Sequence, residues 1–116
     1  MEESVVVFRA TNHQTYSCLI RMDRRLQIVI VSWPDQHASP FTEVSSLASE
    51  LVTHYQFNPQ RLLLIEHHPD DQRPFLNDPI YSLITFSWNH YQAENPVRQP
   101  LSLAEFIQIV LALSNY

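Results

Sequence analysis

The chain has 116 residues, 45% hydrophobic and 16% charged, enough for one domain with its own core and too few for two. A net charge of −5 opposes binding to nucleic-acid backbones, which need a basic face. All seven basic residues are arginine and there is no glycine, which excludes lysine chemistry, phosphate-cradling loops, dinucleotide fingerprints and the hydrolase nucleophile elbow.

No apolar run approaches the roughly 20 residues that span a bilayer, and Met1-Glu2-Glu3 is acidic where a secretory signal is basic. A cytoplasmic protein without membrane contact is the expectation. Cys18, the single cysteine, has no partner for an intramolecular disulfide and reads as a small core residue. Without glycine, turns are expected to use the eight prolines together with Asn and Asp.

In chain order, Ser4 to Arg9 is β-branched and short and reads as a strand. Thr15 to Met22 and Leu26 to Trp33 flank Asp23-Arg24-Arg25 and form a hairpin whose second arm is aliphatic enough to lie centrally in a sheet. The tip arginines, Arg24 and Arg25, read as a solvated turn. Thr42 is the expected N-cap of a helix with Val44, Leu47, Ala48, Leu51, Val52 and Tyr55 on one face, stopped by Asn58-Pro59.

Arg61 onward enters the aliphatic run Leu62 to Ile65, and strand, helix and strand make a crossover that joins parallel neighbours. Ile80 to Trp88 alternates enough to be a strand antiparallel to its predecessor, while Asn89 to Pro100, polar and proline-containing, reads as a connector. Ser102 and Glu105 make a capping box for a last helix, and from Leu103 to Leu113 that helix has almost no polar face. The expected fold is one α+β domain over residues 1–116: a mixed sheet in the order β-β-β-α-β-β-α with two helices packed on it.

Parallel strands end at a common edge, where open α/β sheets tend to bind ligands. Asp35 and His37 follow one such strand, and Glu66, His67, His68, Asp70 and Asp71 follow the other; His13 and Asp78 belong to the same rim. Asp35, Glu66, His67 and Asp70 are the candidate acid–base residues, and His37, His67, His68 and Asp70 the candidate ligands for a divalent metal ion. Adjacency weakens both readings, because consecutive strand residues point to opposite faces. The plain alternative is a structural pairing of Glu66 with Arg61, Arg73 or Arg98.

Since no catalytic spacing is specific, the leading expectation is a non-enzymatic interaction or regulatory protein without a cofactor, forming a homo-oligomer. Phe106, Ile109, Val110 and Leu113 of the last helix, with Trp88 and Tyr91, are the candidate interaction residues. Two other functions compete with it: a small metal-dependent or His/carboxylate hydrolase at the 66–71 strand end, and an acidic inhibitor of a nucleic-acid-binding protein.

Overall fold

The two aliphatic runs lie side by side and parallel at the centre of the sheet: Ile28 pairs with Leu63, Ile30 with Ile65 and Ser32 with His67. The computed structural model describes residues 2–34, 41–68 and 80–114. The elements are β1 (Glu2–Arg9), β2 (Thr15–Asp23), β3 (Ile28–Ser32), α1 (Phe41–Thr53), β4 (Leu63–His68), β5 (Ile80–Asn89), β6 (Gln92–Leu101) and α2 (Leu103–Ser114). The six strands follow one another in space in sequence order, and every pairing except β3 with β4 is antiparallel.

Strand alternation divides the sheet into two unequal faces. Under α1, Val6, Phe8, Cys18, Ile20, Met22, Val29, Val31, Trp33 and Leu64 meet Val44, Leu47, Ala48 and Leu51, and this cluster is the core. The opposite face carries Ile65, His67, Tyr81, Leu83 and Val97, and α2 comes onto it where Phe106 stacks on Tyr81, ring centroids 4.1 Å apart.

The expected order is present with one strand added. Gln92 to Leu101 is no connector: it pairs with β5 through a two-residue turn, His90-Tyr91, in which both residues have positive φ (54° and 67°) as a type I′ hairpin requires. Beyond it, Asn95 and Pro96 both stand opposite Phe86, a bulge with Asn95 left-handed at φ 50°. Proline is tolerated in β6 because β6 is an edge strand and Pro96 lies at the bulge.

Left-handed turns also depart from expectation. Of six positive-φ positions among the described residues, Asn95 is the one Asn and none is Asp; the others are His13, Gln27, Gln56, His90 and Tyr91. Gln27 shows how such a residue is held. Its side chain donates to the Arg24 carbonyl at 2.7 Å and accepts from Asn58 N–H at 2.8 Å, while its own carbonyl accepts from Leu63 N–H at 2.8 Å.

Helix α1 begins at Phe41, which puts Thr42 inside the first turn and not at the cap, and it ends at Thr53, before Asn58-Pro59. Gln56 at φ 62° turns the chain, and Phe57 N–H reaches back to the Leu51 carbonyl at 3.1 Å. The capping box of α2 forms as expected: Glu105 N–H donates to Ser102 Oγ at 3.1 Å and Ser102 N–H to Glu105 Oε1 at 3.2 Å.

Candidate functional site

Because β3 and β4 are parallel, their carboxyl ends share one rim with the start of β5 and the end of β6. Glu66 faces the α1 side and is 1% exposed. Trp33 Nε1–H donates to its Oε2 at 2.7 Å, and Arg98 Nε–H donates to its Oε1 at 2.5 Å. Trp33 is itself buried, its ring 6.1 Å from Phe8 in an edge-on contact. The carboxylate thus ties β4 and β6 to the residue that follows β3, and Arg98 is one arginine that serves it; Arg73 lies outside the described residues.

His67 points to the other face. Its ring lies 5.1 Å from Tyr81, which stacks in turn on Phe106, so the three rings link β4, β5 and α2. Burial pushes the Tyr81 phenol above its ordinary value, with the Arg21 charge pulling the other way. Glu66 and His67 are therefore separated by the sheet and do not form an acid–base pair.

Asp35, His37, Asp70, Asp71 and Asp78 lie outside the described residues, as do the side chains of His68 and Leu113. His13 stays in the β1–β2 turn, where Gln14 N–H donates to Asn12 Oδ1 at 3.1 Å. Among the described residues no three His, Cys, Asp or Glu side chains gather as a metal site. Cys18 is buried and its thiol is pushed up to about 12 by that burial, which leaves too little thiolate for a nucleophile at neutral pH. Arg24 is engaged within the fold: it donates to the Tyr55 carbonyl and lies 5.4 Å from the Phe57 ring centroid.

An open cleft of about 570 Å³ runs between the hydroxyl-rich side of α1 (Ser45, Ser49, Thr53) and Gln92 and Glu94 of β6, with Arg9 at its wall. The more distinctive surface is apolar. Helix α2 half-buries Phe106, Ile109 and Val110, three of the residues expected to mediate contacts, and turns Leu103, Ile107 and Leu111 outward, 37%, 46% and 57% exposed. Trp88 is half-buried beside Phe86, 5.1 Å between ring centroids, whereas Tyr91 is exposed at the hairpin tip. The spacing of 103, 107 and 111 is itself a sequence signal, one helical stripe at i, i+4 and i+8; the direction it faces required the sheet. The partnership of Trp33 with Glu66 had only a general cue, that a buried indole N–H needs an acceptor.

In comparison with known proteins, no family model, no curated protein and no solved structure matches the chain.

Proposed function

We propose that this chain is a cytoplasmic, non-enzymatic interaction protein that associates with a second copy of itself through α2. The observation that carries the reading is the outward stripe of Leu103, Ile107 and Leu111. Its occupant is best a second α2. The stripe contains no charge, and the helix's one acidic residue, Glu105, is taken up by its own cap, so antiparallel packing across a two-fold axis would desolvate no ion. A buried, free Cys18 thiol accords with a cytoplasmic setting.

The hydrolase reading draws no support from Glu66 and His67 on opposite faces. Nor does the acidic-inhibitor reading gain from β1, where Glu3 lies 2.9 Å from Arg21 and Glu2 3.6 Å from Arg24 instead of forming a row of unpaired carboxylates. Sedimentation velocity at micromolar concentration tests the self-association. The natural chain should sediment as an oligomer and Ile107→Glu as a smaller species; a monomeric natural chain would overturn the reading.

A further inference from the structure

The two edges of the sheet are built differently. On β6, Pro96 and Pro100 remove backbone donors and the bulge at Asn95-Pro96 breaks the ladder, devices that keep an edge from recruiting another strand. On β1 there is neither a proline nor a bulge: Glu2 to Arg9 pairs with β2 in unbroken register, α1 comes against it from one face, and among the described residues β2 is its one strand neighbour. Its outward residues on the face away from α1, Val5 and Val7, are 65% and 61% exposed.

We infer that β1 is a second self-association surface, at which β1 of another copy pairs antiparallel across a two-fold axis and continues the sheet. Such an axis keeps each face on its own side, so odd-numbered residues must meet odd-numbered ones and even must meet even. One register satisfies this and also matches charge. With Val6 opposite its own copy, Val5 meets the second copy's Val7, and Glu3 meets its Arg9. Glu3 already has Arg21 beside it on β2 at 2.9 Å, so the arginine of the second copy would complete a row of alternating sign across three strands. Shifting by two residues to put Val5 on itself sets Glu3 against a valine and loses both ion pairs. The contact extends the self-association reading to a surface remote in the sheet from α2, and two such two-fold contacts together build an even-numbered assembly larger than a dimer.

The test uses the full chain carrying Ile107→Glu, so that α2 is disabled. Sedimentation equilibrium should show a dimer that Arg9→Glu weakens about tenfold and that the charge exchange Glu3→Arg with Arg9→Glu restores in part. In the same background, Val5→Cys mixed with Val7→Cys should form a disulfide-linked pair under mild oxidation, with far less from either variant alone; both positions are exposed and Cys18 is buried. A monomeric Ile107→Glu chain overturns the β1 contact while leaving the α2 reading intact. An Ile107→Glu chain that keeps the natural chain's mass, together with efficient linkage of the Val5→Cys variant to the Val7→Cys variant, overturns the α2 reading and upholds β1. Linkage of Val5→Cys to itself as readily as to Val7→Cys overturns the register.

Discussion

Among the described residues Glu66 is the buried charged one. Its carboxylate is held at 2.7 Å by an indole N–H and at 2.5 Å by a guanidinium. Removing one partner of a buried ion pair leaves an uncompensated charge and costs about 3–5 kcal/mol, whereas replacing both costs much less. Arg98→Met should thus lower the urea midpoint strongly, and the double variant Glu66→Gln with Arg98→Met should lose less than the sum of the two single losses. Trp33→Phe should cost about 1.5–3 kcal/mol for the lost hydrogen bond to the carboxylate, besides any packing loss. At Cys18 the relevant variable is pH. Its folded pKa of about 12 stands above the ordinary 9.0, so the unfolded thiol ionises first; the contribution is fully present below pH 9 and is lost as pH rises toward 12. Stability measured across that window should fall less steeply for Cys18→Ala than for the natural chain, and the natural thiol should react with a disulfide reagent only on unfolding.

The β5–β6 hairpin shows what a glycine-free chain must do at a tight turn, and why this element was the one the residue pattern concealed. Hairpins with two-residue loops ordinarily announce themselves by Asn-Gly or Asp-Gly, and here the turn is His90-Tyr91. The strand that follows, Gln92 to Leu101, has two internal prolines and a polar face because it is an edge, so neither its composition nor its alternation marks it as a strand. By contrast β3, β4 and the cap of α2 were legible, since aliphatic runs and the Ser102–Glu105 box report local physics directly. Non-glycine residues in the left-handed region cost on the order of 1 kcal/mol or more each. His90→Asn with Tyr91→Gly should therefore raise the unfolding free energy by about 1–2 kcal/mol in urea titrations. Asn95→Ala at the bulge should lower it, and Asn95→Gly should leave it nearly unchanged.

At the scale of the whole molecule, the sheet has one face closed by α1 and another that α2 covers at one end. The crossover placing Glu66 and His67 on a common rim could be read from sequence, but strand alternation then sends them to opposite faces. Two partners of Glu66 come from 33 and 32 positions away, across pairings whose register the sequence does not display. What the incomplete second layer implies is thermodynamic. Val5, Val7, Val97, Leu103, Ile107 and Leu111 remain exposed in the isolated chain, so a second copy that covers part of this surface binds the folded state and not the unfolded one. Folding is then linked to concentration: a tenfold increase well above the dissociation constant adds roughly 1.4 kcal/mol per mole of dimer formed. The melting temperature of the natural chain should climb steadily with protein concentration. Ile107→Glu should flatten that climb, and combining it with Arg9→Glu should shift the remaining climb to about tenfold higher concentration, because the double variant has lost the apolar helix stripe and the charge match of the edge. A melting temperature of the natural chain that is the same at 1 μM and 100 μM, roughly the range over which such linkage is measured, would place the folded unit at one chain and leave the open face to some other partner.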